Sequence, residues 1–157
     1  MIDTDTFRRL MSRFASGIAI ITARDGGHDV GMTVSAFCSV SLSPPLVLVC
    51  VDHAASMHEL LLTHPVLGIS IVACEHEAHC RRFSDRKETR RFDGASFTRG
   101  ESSVALLDDA VAHLECQVRQ HCEAGDHTIF IAEVERGVMR DRRPLLYFGG
   151  RYAQLAG

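Results

Sequence analysis

Residues 31–46, GMTVSAFCSVSLSPPL, crowd small hydroxyl, thiol and alanine side chains into what reads as one extended strand. Alternate side chains of a strand share a face, so Thr33, Ser35, Phe37, Ser39 and Ser41 would form a polar stripe with one aromatic in it. Met32, Val34, Ala36, Cys38, Val40 and Leu42 would pack the other way. A hydroxyl stripe can hydrogen-bond the sugar-like chain and ring edge of a bound cofactor, and small side chains let the ligand come close to the backbone. A strand face of serine and threonine turned to solvent has the same pattern, and the residues alone leave both readings open.

Other chemistry is weaker or missing. CEHEAHC at 74–80 offers Cys74, His76, His79 and Cys80, and on a helix His76 and Cys80 share a face. A closed zinc site needs four converging ligands, whereas this turn points Cys74 and His79 away from that pair, so the expectation is no metal and a solvated helix with half-buried thiols. The chain contains no dinucleotide G-x-G-x-x-G, no phosphate loop, no G-x-S-x-G and no H-E-x-x-H. Its six cysteines form no C-x-x-C pair, which fits reduced thiols in a cytoplasmic protein.

The elements that would position these residues follow from periodicity. The 157 residues suit a single domain, 1–157, with its own core. A net charge of -3 gives no basic footprint for nucleic acid, and no apolar run approaches the ~20 residues of a membrane helix. Phe7, Leu10, Met11 and Phe14 fall on one face of a helix that Asp3 can cap. IAIITA at 18–23 turns through RDGGHD into residues 31–46 as a hairpin, and LVLVCV at 46–51 reads as a central strand covered on both faces. A short helix ending at Pro65, a strand at 66–72 and a polar helix from Cys74 follow, then a charged loop to about Ser103. Residues 112–122 alternate sharply, with His113, Glu115, Gln117, Arg119 and His121 on one face. Strands from His127 and around Gly149 and Gly150 complete the chain. The expected fold is mainly β: about seven mostly antiparallel strands closed into a β-barrel, which leaves no bare edges, with peripheral helices.

FRRLMSRFASGIAIITA, GMTVSAFCSVSLSPPLVLVCVDHAASM, RRFS, RRFDG, LECQVRQHCEAGDHTIFIAEVE and PLLYFGGRY, in this order and spacing, resemble the short-chain flavin reductases. These are the reductase components of two-component flavin-dependent monooxygenases and have the FMN-binding split barrel fold. The resemblance implies a homodimer that binds FMN or FAD, reduces it with NADH or NADPH and supplies the reduced flavin to a partner monooxygenase. It places Thr33, Val34, Ser35 and Ala36 along the flavin ring, Ser39 and Ser41 at the ribityl chain or phosphate, and Cys50, Val51, Asp52 and Ser56 where strand meets helix. Ser56 also has independent physics behind it, since unpaired N–H groups in a first helical turn favour an anion such as the flavin phosphate.

By the same resemblance Arg82 and Phe83 lie next to the flavin, Tyr152 lies near its face, and His127 of the GDH signature lies beside the nicotinamide. Hydride then passes from nicotinamide to flavin with no protein nucleophile, the cofactor carrying the chemistry and the protein aligning the two rings. Ser70 stands where many relatives have Asn, and TVSAF varies a stretch often written with Asn, which leaves FMN against FAD open. No basic cluster for a 2′-phosphate separates NADH from NADPH. A non-catalytic flavin-binding redox sensor or carrier of the same fold is the alternative.

Overall fold

The structure, a computed structural model, describes residues 1–156. Asp3 opens α1 (Thr4–Met11) by accepting from the Thr6 N–H at 2.8 Å, which satisfies one of the first-turn donors no intrahelical carbonyl can reach. Phe7, Leu10, Met11 and Phe14 are all exposed, so the apolar face that periodicity identifies has nothing of this chain packed over it among the described residues.

The chain then alternates short turns with strands: β1 (Ser16–Gly17), β2 (Ala19–Asp25), β3 (His28–Val34), β4 (Phe37–Leu42) and β5 (Pro45–Asp52). After them come α2 (Ser56–Thr63), β6 (Val66–Ile71), a 3-10 turn at Cys74–His76 and α3 (Glu77–Ser84). The rest comprises β7 (Phe97–Arg99), β8 (Ala105–Leu107), the long pair β9 (Ala112–Ala124) and β10 (His127–Met139), and the hairpin β11 (Leu145–Phe148) and β12 (Arg151–Gln154). Gly149 and Gly150 carry the last turn with φ of 62° and 77°, a region in which a Cβ is strained. Seven strands form one antiparallel sheet in the order β3-β2-β6-β9-β10-β5-β4.

That order corrects the reading of residues 31–46 as a single strand. The chain bends at Ser35, where the Phe37 N–H donates back to the Ser35 carbonyl at 3.0 Å, and β3 and β4 occupy opposite edges of the sheet. The cause is a change of partner: β3 pairs with β2 as far as Val34↔Ala19, whereas β4 pairs with β5 from Phe37↔Val49. The strands covered on both faces are likewise β2 and β6 rather than β5. Ile20 and Ile21 are both fully buried, while in β5 only Val47, Val49 and Val51 are buried and Leu48 and Cys50 stay half-buried.

The reason is where the other elements lie. Met57, Leu60 and Leu61 of α2 pack with Val49, Val51, Ile69 and Phe130 in one cluster. On the other side of β2, Cys80 and Phe83 of α3 join Ile20, Leu107 and Leu145 in a second. The charged loop also holds more order than expected, because β7 and β8 pair there, and β8 donates Leu106 and Leu107 to the interior. Beneath it the polar face of β9 is buried at its first two residues, His113 and Glu115, while Arg119 and His121 stay exposed; the Glu115 carboxylate accepts from the Ser102 N–H at 2.7 Å and the Glu101 N–H at 3.3 Å, and from the Ser102 hydroxyl.

Candidate functional site

The bend between β3 and β4 borders a cleft of about 710 Å³, within the size range of small-molecule sites. One wall is β3 with Ser35 and Ala36, a second is Cys50 and Asp52 of β5 with the start of α2, and the third is the end of α3 with the loop from Arg86 to Phe92. His127 stands at the margin, brought there by its pairing with Asp52 across β10 and β5. Buried Phe83 stacks edge-on against Phe92 with centroids 5.0 Å apart, and both rings abut Gly31. A Cβ at Gly31 would lie 2.7 Å from Phe83 Cε1, so the aromatic wall reaches the strand only because that position has no side chain.

The start of α2 faces the cleft as a donor group. Its cap residue, Ala55, has no side chain to accept from the first turn. The Asp52 carboxylate accepts the Ala54 N–H at 2.8 Å and its carbonyl the Ala55 N–H at 2.9 Å, while the N–H groups of Ser56 and Met57 have no acceptor among the described residues. Two free donors at the positive end of a helix suit a phosphate. The Ala54 N–H, together with Arg86 at 2.5 Å, holds the Asp52 carboxyl below its ordinary range. The same ion pair ties the third wall to the second.

Asp126 orients His127. Its carboxyl is held low by the imidazole, whose Nδ1 lies 2.7 Å from Oδ1. An ionised carboxylate only accepts, so Nδ1 carries the proton, and the Nε2 of a neutral ring offers a lone pair. The ring is 41% exposed, open to a ligand.

A second, shallower cleft of about 490 Å³ adjoins the first and shares Thr33, Ser35 and Ser84 with it. Tyr152 lines it, with the Arg81 guanidinium 4.8 Å from its ring centre and Tyr147 edge-on at 5.7 Å. Burial pushes the Tyr152 phenol up from its ordinary value.

Of the residues singled out from the sequence, Thr33, Val34, Ser35, Ala36, Cys50, Asp52, Ser56, Phe83 and His127 line the main cleft, and Tyr152 lines its neighbour. The Thr33 hydroxyl donates to the Cys80 carbonyl at 2.7 Å, fastening β3 to α3 and leaving only its lone pairs for a ligand. The structure leaves four out of the cleft. Ser39 and Ser41 sit on β4, Val51 turns inward and is fully buried, and the Arg82 guanidinium donates to the Asp93 carbonyl. Ser70 is buried too, its hydroxyl accepting the Leu107 N–H at 2.9 Å, so it holds β8. In CEHEAHC, His76 accepts the Ala73 N–H at 3.3 Å, and burial pushes the Cys80 thiol up to about 12.

Sequence reasoning passed over Gly31, Arg86, Arg91 and Phe92. The last three lie in an irregular loop without periodicity; Arg91 and Phe92 fall within RRFDG, whereas Arg86 lies outside both RRFS and RRFDG. Arg91 donates to the Gly31 carbonyl at 3.2 Å and the Asp85 carbonyl at 2.8 Å. Its Nε is buried without a partner, and the residue lines the cleft.

Comparison with known proteins adds four findings. Residues 11–156 match the family described as "Flavin reductase like domain". The chain is 39% identical over 159 residues to an NADH-dependent FAD reductase of Streptomyces globisporus, covering 98% of this chain and 87% of that protein. It is 30% identical to the reductase subunit HsaB of a flavin-dependent monooxygenase from Rhodococcus jostii, over 96% of this chain and 77% of the other. In structure it is similar to the NADH:FAD oxidoreductase SgcE6 of Streptomyces globisporus in complex with NAD and FAD fragments, with a TM-score of 0.94, 37% identity and coverage of 99% and 96%.

Proposed function

The chain belongs to the flavin reductase like domain family, and on that premise we propose that it is an NADH-dependent flavin reductase supplying reduced flavin to a separate monooxygenase. One observation carries the reading at this site. A single cleft brings together the β3 edge, the two free N–H groups at the start of α2, and the Asp126-oriented His127.

The residues present fit a flavin: the aromatic wall and the strand flank a cleft of about 710 Å³, and the free donors can meet a phosphate. Thr33 to Ala36 with Cys50 and Phe83 would hold the ring, Ser56 the phosphate, and Asp52 with Arg86 the rim. Tyr152 would border the adjoining compartment. Once bound, flavin supplies the acceptor for the hydride of NADH. His127, with Nδ1 held by Asp126, would offer Nε2 as an acceptor for the carboxamide N–H of a bound nicotinamide and so would orient it. The Ser56 and Met57 N–H groups would hold the anion without a proton transfer, and Phe83 with Phe92 would keep water from one side of the cleft. Ser39, Ser41, Val51 and Arg82 have no part in this proposal.

The fold around the site is proposed to be one domain, 1–157, whose sheet closes as a split barrel. Its two edge strands are joined by Ser35 and Ala36 alone, and the Cys50 N–H donates to the Ala36 carbonyl at 3.0 Å. Two copies would pair over apolar side chains that this chain leaves bare, such as Phe14 of the α1 segment at 73% exposure. No helix among the described residues is long and apolar enough to cross a membrane.

Purified protein with NADH and excess FMN or FAD under air should oxidise NADH in a flavin-dependent manner, followed at the nicotinamide absorption band. A tight flavin spectrum with no turnover would instead support a carrier or sensor. Light scattering should report a dimer, and Phe14→Asp should shift it toward monomer.

A further inference from the structure

We propose that His53, His58 and Glu123, none of which lines the cleft, form a binding site for one divalent transition-metal ion of the Zn²⁺ class. The three come from different elements: His53 just after β5, His58 in α2 and Glu123 near the end of β9. Their donor atoms all lie within 4.8 Å of one another. His53 Nε2 is already 3.0 Å from Glu123 Oε2, near the separation of about 3.3 Å that tetrahedral geometry with ~2.05 Å bonds requires. His58 is only 7% exposed and held in place, whereas His53 and Glu123 open to solvent, which leaves an entry path and a fourth position for water.

Proton accounting points to a cation. The hydroxyl of Thr128, in β10, lies 2.8 Å from Glu123 Oε1, 2.8 Å from His58 Nε2 and 3.2 Å from His53 Nε2. Its single proton goes to the carboxylate, so the two imidazoles must donate to it from Nε2. A neutral His58 then has a bare lone pair on Nδ1, which is buried without a hydrogen-bond partner and faces Glu59 Oε1, another acceptor, at 3.4 Å. A metal on Nε2 would replace the hydrogen bonds from the two imidazoles to the Thr128 hydroxyl, which keeps its own bond to Glu123, and the displaced His58 proton would move to Nδ1 and meet the Glu59 carboxylate. This is the outer-shell partner that metal-bound imidazoles commonly have. Two imidazoles and a carboxylate suit zinc better than calcium or magnesium.

Such an ion would clasp the start of α2 to the tip of the β9–β10 hairpin. The His53 N–H donates to the Asp126 carbonyl at 3.1 Å, so the clasp extends to the turn that carries His127.

Chelator-treated full-length protein should be titrated with Zn²⁺ by calorimetry and with Co²⁺ by visible absorption. We expect one ion per chain and cobalt bands of tetrahedral intensity. His53→Ala and Glu123→Gln, both at exposed positions, should each weaken Zn²⁺ binding by at least tenfold, and Glu59→Gln by about tenfold through the outer shell. Cys74→Ser should leave it unchanged. Absence of saturable Zn²⁺ uptake at micromolar concentrations overturns the proposal. So does uptake that survives both ligand substitutions or is lost with Cys74. Nitrogen NMR showing a metal-free His58 protonated on both nitrogens with Zn²⁺ present also overturns it.

Discussion

Replacing Gly31 with alanine tests whether the aromatic wall of the cleft is as tightly built as its distances imply. The new Cβ would meet Phe83 Cε1 at 2.7 Å, Phe83 Cδ1 at 3.0 Å and Phe92 Cζ at 3.1 Å, against an ordinary carbon contact of about 3.5–4.0 Å. One ring or the strand must therefore move by roughly 0.5–1 Å. Phe83 has little room, being buried and wedged against Phe92 at 5.0 Å and Phe97 at 5.9 Å. Overpacking of this kind costs about 1–3 kcal/mol, while the stiffer unfolded chain returns about 0.4–1 kcal/mol.

The net is a loss of about 1–2 kcal/mol, or a Tm lower by about 3–6 °C at this chain length. A thermal melt of ligand-free Gly31→Ala followed by circular dichroism reads it directly. Flavin titration should show weaker binding as well, because the displaced ring lines the cleft. Phe83→Leu placed in the Gly31→Ala background should recover part of the Tm, a coupling expected between touching residues. A Gly31→Ala variant as stable as the parent protein would refute the reasoning.

Three further outcomes are expected. His127→Ala removes the proposed acceptor for the nicotinamide, so KM for NADH should rise about tenfold while flavin Kd stays within about twofold, as steady-state kinetics and fluorescence titration would show. Ser56→Asp places a negative charge beside the free N–H groups of α2 and should weaken FMN by about fivefold or more, yet leave riboflavin, which has no phosphate, unaffected in the same titration. Burial pushes the Glu115 carboxyl up, but the Ser102 hydroxyl and the N–H groups of Ser102 and Glu101 outweigh it and hold it below its ordinary 4.5. The stabilisation is therefore full above pH 4.5 and lost as the pH falls through the lower folded value. Glu115→Gln should cost about 1–3 kcal/mol at neutral pH, and its melts should change less than those of the parent between pH 5 and pH 3.

The local elements of this protein are written in short stretches of its sequence. Asp3 before an apolar period of 3.6 starts α1, paired glycines turn the β2–β3 and β11–β12 hairpins, and Ala55–Ser56 opens a helix whose first donors remain free. Each depends on residues a few positions apart, so backbone sterics and capping decide it before the chain folds. The candidate site was legible to the same extent: Thr33 to Ala36, Asp52, Ser56, Phe83 and His127 converge on one cleft.

Tertiary structure alone decided which faces were covered and which strands became neighbours. A period of two says that His113 and Glu115 share a face with Arg119 and His121, but only the docking of β7 and β8 buries the first pair and leaves the second exposed. The hydroxyls of residues 33–41 likewise look like one stripe until strand pairing bends the chain at Ser35 and sends Ser39 and Ser41 to the opposite edge of the sheet. The physical reason is that alternation records which side chains point together, whereas burial depends on partners far away in the chain, and no local pattern encodes their approach.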